Sequence, residues 1–530
     1  MSQTEVFSSA ATAAPHKAAA EAGRDILIQG GNAIEAMLAM AATIAVVYPH
    51  MNSPGGDGFW LIREPKGRMR AIEACGPAGA LATIERYRKL EVDAIPARGP
   101  NAALTVPGAV GGWALAHEFA QSLGARMPLG ELFANAIKYA REGFATSPAE
   151  ARTRPRDSHD LAKTPGFAQT YFIDGDYPKA GAVRKFPALA ATLEHLGKAG
   201  LQDFYRGDIA REIAHDLDRI GSPVTREDLR HYQAQWRPAL SLAMKGHTLY
   251  NCPPPTQGLA SLIILGIFAR LGVTRCDSFE HIHGLIEATK QAFSVRDSFI
   301  TDYARLKGDP DDFLEPQALD RMAEEISMRR AAPFPLPQAK GDTVWMGAID
   351  KDGLAVSFIQ SVYWEYGSGC VLPRTGLLMQ NRGLAFSLNP QALNPLTPGR
   401  RPFHTLNPAM AVFDDGRVMP YGAMGGDGQP QTQAQVFTRY MFGQGLAGAI
   451  DAPRFALGRT WGAASSLLAL ENRFDPSVVR ALENAGHEVS IHPEGYADVF
   501  GHAGALIRHA KNGRIEAAHD PRSDGGAAGV

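Results

Sequence analysis

Two apolar runs separated by four turn-forming residues stand out in the pattern of the chain. Val344 to Ile349 is apolar and β-favouring, Asp350-Lys351-Asp352-Gly353 has turn chemistry, and Leu354 to Ser361 is β-favouring again. The pattern predicts a hairpin. A four-residue turn sets Thr343 opposite Gln360, with Ser361 one residue beyond, so two hydroxyls come within reach of each other. Residues 343–425 continue in the same manner through TGLLMQN, AMAVF and RVMPYGAM, and a helix is predicted from Gln431 to Phe442. Upstream the spacing turns helical. LFANAIKYAREG and FEHIHGLIEATKQAFSVRDSF repeat apolar residues every three or four positions, and Asn32 is placed to cap a helix starting at Ala33. The loop SPGGDGFW (Ser53–Trp60) offers glycines for positive φ and close backbone approach. NCPPPTQG (Asn251–Gly258) reads as a rigid loop, AAPFPLPQAKGD (331–342) as an exposed linker, and residues 525–529 as a flexible glycine-alanine tail.

Composition narrows the function classes. The chain has 530 residues, 45% of them hydrophobic and 20% charged, with a net charge of −2. Such a balance argues for an ordinary globular protein and against nucleic acid or a membrane surface as partner. The apolar stretch Ala33–Val47 is too short to span a bilayer and contains Glu35. No charged segment followed by an apolar one is read at the N-terminus, so no secretory signal is expected. Cys75, Cys252, Cys276 and Cys370 are scattered without a CxxC pair. Neither a disulfide framework nor a zinc site is expected, and reduced cytoplasmic thiols fit best. His281 and His283 lie two apart on a predicted helix and do not share a face, so no metal is expected there.

The chemistry sits in the hairpin. Threonine oxygen is a weak nucleophile until a base takes its proton, and a chain N-terminus supplies that base as its own α-amine. The α-amine titrates near 7.7, close to working pH. Thr343 is internal, so the Asp342–Thr343 bond must first be cut. A second feature is GAMGGDGQPQT, where Gly425 and Gly426 follow a strand and precede a helix. Adjacent glycines there can aim two backbone N–H groups at a developing oxyanion.

These pieces resemble the γ-glutamyltranspeptidase family of N-terminal-nucleophile hydrolases. The similarity is carried in order by GGNAIEAMLAMAATIAVVYPHMNSPGGDGFWLI, LTVPGAVGG, FYRGDIA, CPPPTQG, IDKDGLAVSF, YGSGCVLPRTG, PGRRPFHTLNPAM, GGDGQPQT and DAPRF. The resemblance implies an α+β, four-layer αββα fold and a precursor that cuts itself into residues 1–342 and 343–530. The two fragments are expected to stay together as a heterodimer that can pair again. No cofactor is implied. Carried over by position, Thr343 is the nucleophile, Ser361 the hydroxyl that hydrogen-bonds it, and Gly425 with Gly426 the oxyanion pair.

The chain departs from the family where an α-amino acid would be held. Ala82 stands at the place of the family's carboxylate-gripping arginine, Ala385 at that of its amine-binding aspartate, and His404 and Thr405 at those of two serines. Arg382 is new beside Ala385, and Tyr363 with Trp364 brings aromatic bulk. A site without a partner for an ammonium discriminates against substrates that carry one, whereas Arg382 suits a carboxylate. The expected substrate is therefore a small amide bearing a carboxylate and no α-amine, bound by Arg382, His404, Thr405 and Tyr363. Within the family, GDTVWMGAID, QNRG, PFHTLNP and GGDGQPQTQAQVFTR are similar to the oxamate-hydrolysing branch. A γ-glutamyl enzyme, a cephalosporin-acylase-like amidase and an unprocessed ligand-binding relative are the alternatives.

Overall fold

The structure is a computed structural model that describes residues 3–153, 158–334, 342–458 and 467–530. Two seven-stranded sheets form its centre. The first runs Gly526–Gly529, Ala11–Ala14, Asp342–Ile349, Ala355–Tyr363, Asp57–Arg63, Met69–Ala74, Gln235–Arg237. The second runs Glu5–Phe7, Ile515–His519, Ala503–Arg508, Val418–Ala423, Ala409–Phe413, His247–Asn251, Leu240–Met244.

Alternation along the strands builds the layers. Phe59, Leu61, Trp345, Ile349 and Ile359 of the first sheet meet Met410, Val418, Leu506 and Ile515 of the second in one apolar layer. Their neighbours Trp60, Ile62, Val344, Met346, Val356 and Phe358 turn to the other face, onto the helices Ala33–Val47 and Ala109–Ser122. The helices Gly258–Phe268, Phe279–Phe299 and Gly428–Met441 cover the outer face of the second sheet. The order is helix, sheet, sheet, helix, as the resemblance implies. Both faces of the central strands are buried, so these strands read as continuous apolar runs rather than as alternation. Trp345 locks the two sheets together. Its indole donates to Ser357 Oγ at 2.9 Å, and side chains in place of Gly422 or Gly504 would stand 2.1 or 2.3 Å from the ring.

Three local expectations need correction. The hairpin register is one residue off the expected one: Val344, not Thr343, pairs with Gln360, and a bulge lies between Asp342 and Val344. The loop is longer than four residues because Asp350 Oδ1 accepts from both the Asp352 and Leu354 N–H groups, drawing Leu354 into the turn. The tail at 525–529 is no loose end, since Gly526–Gly529 pairs antiparallel with Ala11–Ala14. Its small residues suit a strand pressed against Phe7, 2.4 Å from where a side chain at Gly529 would begin. In SPGGDGFW the glycines serve close approach, not positive φ: a Cβ at Gly56 would lie 2.1 Å from the Ser361 carbonyl oxygen. Of the linker at 331–342, residues 335–341 lie outside the described residues, and Asp342 already begins a strand. Asn32 caps its helix as expected, with Glu35 closing a capping box. Among the described residues no helix is long and apolar enough to cross a membrane.

Candidate active site

Six of the sequence-predicted residues, Thr343, Ser361, Tyr363, Arg382, Thr405 and Gly426, meet in one closed circuit of contacts completed by Gln257 and Gln429. Thr343 Oγ1 donates to Ser361 Oγ at 3.5 Å and accepts from Gln429 Nε2 at 3.2 Å. Ser361 Oγ accepts from the Tyr363 N–H at 2.8 Å. The Tyr363 ring lies under the Arg382 guanidinium, 3.4 Å from its carbon to the ring centre. Arg382 Nη1 donates to Thr405 Oγ1 at 3.3 Å. Gln257 Nε2 donates to both the Thr405 and the Gly426 carbonyls at 2.7 Å. The Gln429 N–H returns to the Gly426 carbonyl at 3.2 Å, closing the circuit.

Each part is placed by the fold. The bulge at Thr343 and the one-residue register difference turn its hydroxyl toward Ser361, and Asp342 comes to lie opposite Tyr363. Tyr363 has φ +86°, a conformation that costs a bulky residue on the order of 1–3 kcal/mol and that clusters at functional sites. Gly425 and Gly426 have φ +122° and +52°, open to glycine, between the strand Val418–Ala423 and the helix Gly428–Met441. Among the described residues neither of their N–H groups donates to an acceptor. The start of that helix brings its partial positive charge to the Thr343 side of the site.

Beneath the glycines lies a buried support that the sequence reading missed. Arg296 Nη1 pairs with Asp427 Oδ1 at 2.8 Å, both side chains fully buried, and also donates to Gln257 Oε1 at 3.2 Å. Arg296 and Gln257 thereby fix the Gly426-Asp427 turn from below. The rigid loop NCPPPTQG was the one visible signal, because Gln257 is its penultimate residue.

Arg382 is buried, and among the described residues no carboxylate pairs with it; Nε and Nη2 have no hydrogen-bond partner. Burial lowers its pKa from the ordinary value, with Tyr363 and Asp57 acting the other way. A guanidinium with two unused donors offers a carboxylate a bidentate seat. His404, next to Thr405, is also buried. Its Nε2 stands 3.1 Å from Asp57 Oδ2, and burial pushes its pKa down to about 4 against the pull of Asp57. The imidazole is neutral at pH 7. Trp364 is only partly buried, its backbone N–H donating to Asn381 Oδ1 at 3.1 Å. Ala82 lies in an apolar cluster with Tyr87, Leu104 and Phe386, and Ala385 packs against the outer core, so neither position offers a charge to an amino acid.

Among the described residues two sets of three side chains elsewhere have metal-ligand chemistry: Cys276, Asp277, His281 and His283, Glu287, His487. Protein partners hold both sets. Arg439 Nε binds Asp277 at 2.7 Å, Lys290 Nζ binds Glu287 at 2.7 Å, and His283 Nδ1 meets His487 Nε2 at 2.8 Å.

Comparisons with known proteins show the family of the chain. The family model described as gamma-glutamyltranspeptidase matches residues 19–530. The chain is 49% identical over 531 residues to the oxamate amidohydrolase proenzyme of Klebsiella pneumoniae, covering 100% of both. It is 37% identical to the glutathione hydrolase-like YwrD proenzyme of Bacillus subtilis, covering 97% of each. Cephalosporin acylase from Bacillus halodurans superposes with a TM-score of 0.91 at 31% identity, covering 100% of this chain and 97% of that one. By sequence and by architecture, this chain belongs to the gamma-glutamyltranspeptidase family and is an enzyme of that family.

Proposed function

We propose that the protein is a self-processing amidohydrolase that converts oxamate and water to oxalate and ammonia. The observation that carries this reading is the buried Arg382, with Nε and Nη2 unused and no carboxylate paired to it among the described residues, in the same circuit as Thr343. Cleavage between Asp342 and Thr343 frees the Thr343 amine. That amine takes the hydroxyl proton as Thr343 Oγ1 attacks the amide carbonyl. The Gly425 and Gly426 N–H groups receive the oxyanion, and Ser361 and Gln429 hold the Thr343 oxygen in line. The C–N bond breaks, the amine returns the proton to the departing nitrogen, and ammonia leaves. Water then attacks the oxalyl ester with the same base, releasing oxalate and restoring Thr343. Arg382 and Thr405 hold the free carboxylate of the substrate, with Tyr363 beneath the guanidinium and His404 beside it. The two fragments, 1–342 and 343–530, remain one heterodimer. Four free cysteines accord with a reducing, cytoplasmic setting. The 49% relative named for oxamate supports the substrate. The apolar surroundings of Ala82 and Ala385 weigh against a γ-glutamyl compound.

The test is ammonia release by purified, processed protein from oxamate, with glutamine as comparison. Release from oxamate alone is expected. Release from glutamine alone overturns the substrate, and silence on both favours a bulkier acyl group. A wild type that stays one band on a denaturing gel, like Thr343→Ala, overturns the processing step.

A further inference from the structure

Asp57 opens the strand Asp57–Arg63 and pairs in register with Ser361. It is fully buried, and its two oxygens have separate duties. Oδ1 accepts three hydrogen bonds, from the Gly76 N–H at 3.0 Å, the Gly108 N–H at 3.1 Å and Gln380 Nε2 at 3.0 Å. Those three donors fix the plane of the carboxylate. Oδ2 is left facing His404 Nε2 at 3.1 Å, a short contact that is off-line, and His404 Nδ1 has no partner among the described residues. The backbone holds the ring: the His404 N–H donates to the Pro255 carbonyl at 2.8 Å, and the His404 carbonyl accepts from the Gln257 N–H at 2.9 Å. Phe59 meets the imidazole edge-on.

A neutral imidazole carries one proton, and its neighbour decides which nitrogen holds it. Beside a carboxylate oxygen the proton belongs on Nε2. Nδ1 is then a bare lone pair, buried on the residue that precedes Thr405 in the chain. We infer that Asp57 is a positioning residue that sets the His404 tautomer, so that Nδ1 accepts an N–H from the substrate's carboxamide. This inference rests on the amide-hydrolase reading above and deepens it. The carboxylate of the substrate has Arg382 and Thr405, and the carbonyl oxygen has Gly425 and Gly426. The NH2 group meets the Thr343 amine through its nitrogen lone pair, and its own N–H donors are the part of a primary amide still lacking an acceptor. After hydrolysis an oxygen with lone pairs stands where nitrogen stood. Facing the Nδ1 lone pair, it is repelled, so the same atom that favours oxamate disfavours oxalate. Selection by an acceptor that suits the amide and opposes the acid is the kind of discrimination a buried polar group gives strongly.

Asp57→Asn is a clean perturbation. The amide oxygen can keep all three hydrogen bonds made to Oδ1, and only the group facing His404 changes, from acceptor to donor. The tautomer should flip to Nδ1–H. In the processed variant, kcat/KM for oxamate should fall roughly ten- to hundredfold, while the inhibition constant of oxalate falls, meaning tighter product binding. Nitrogen NMR of histidine-labelled protein, with His404→Leu to assign the signal, should report the proton on Nε2 in the wild type and on Nδ1 in the variant. A merely structural Asp57 would weaken oxamate and oxalate together and leave the tautomer alone, and that result overturns the inference. His404→Leu gives a second reading should Asp57→Asn fail to fold: oxamate turnover should drop without any weakening of oxalate, and parallel weakening of both refutes the role of Nδ1. A wild type inactive on oxamate refutes the functional reading and the substrate half of this inference, while the nitrogen signals still decide the Asp57–His404 half.

Discussion

Replacing Arg382 with methionine should separate function from stability, because in the proposed reading the guanidinium costs the empty enzyme what it gives the substrate. Methionine keeps the length and the packing over Tyr363 and removes the charge and donors. Two charge-assisted hydrogen bonds from Nε and Nη2 to a carboxylate contribute about 1.5–3 kcal/mol each. Their loss, about 3–6 kcal/mol, corresponds to roughly a 10²- to 10⁴-fold drop in kcat/KM. The stability side runs the other way. Burying an ion costs several kcal/mol. Against this stand one hydrogen bond to Thr405 and a cation–π contact of about 2 kcal/mol with Tyr363. A pKa lowered by burial has the same meaning, since folding disfavours the charged form at every pH where the unfolded chain carries it. Arg382→Met should therefore melt at or above the wild-type temperature while losing oxamate turnover. Differential scanning calorimetry and an ammonia assay on the same preparation decide it. A melting temperature lowered by more than about 5 °C would mean that Arg382 is a structural cation, and the carboxylate seat would fall with it.

Arg296→Ala leaves the Asp427 carboxylate buried without its counter-ion and should cost about 3–5 kcal/mol, read from urea midpoints. Gln257→Leu removes the donor to the Gly426 and Thr405 carbonyls. It should lower kcat more than it raises KM, because the turn proposed to receive the oxyanion loses its support. Trp345→Ala should destabilise by about 3–5 kcal/mol, since glycines at 422 and 504 leave nothing to fill the gap. Acid should destabilise the fold through its buried histidines. Burial pushes His404 down to about 4 and His519 to about 3, against about 6.5 unfolded. Below 6.5 the unfolded state binds protons that the fold refuses, so stability falls with pH down to about 3, by at most about 1.4 kcal/mol per unit for His519. His519→Gln should flatten urea midpoints measured between pH 7 and 4.5, and an unchanged slope would refute this.

The legible parts of the site were those encoded locally. The Thr343–Ser361 hairpin shows in a run of β-favouring residues around a turn, and the Gly425-Gly426 pair in its place between strand and helix. What stayed hidden depends on partners distant in sequence. Asp57 reads as one more polar residue in a glycine loop until Gln380 and His404 arrive more than 300 residues later. Arg296 looks like the polar face of a helix until Asp427 meets it. The register slipped by one because the Asp350 side chain recruits Leu354 into the turn, a hydrogen bond that hydropathy does not record. Gly526–Gly529 carries no β-forming side chain, so its strand is made by backbone pairing alone.

The order of strands in the first sheet has a consequence for the cut chain. Reading across it, the strands come from residues after 343, before 342, after 343 again, and then before 342. In the second sheet the four later strands are bracketed, by Glu5–Phe7 on one side and by His247–Asn251 and Leu240–Met244 on the other. Severing the peptide bond at Asp342–Thr343 therefore divides the backbone without dividing the fold. The halves are interleaved like the fingers of two clasped hands, each supplying the hydrogen-bonding edges the other needs. Dilution should not separate them, and either piece made alone would expose long unpaired edges of the kind that aggregate. In the proposed reading Thr343 is freed by that cut while its strand keeps its pairing with Ala355–Tyr363 on one side and Ala11–Ala14 on the other.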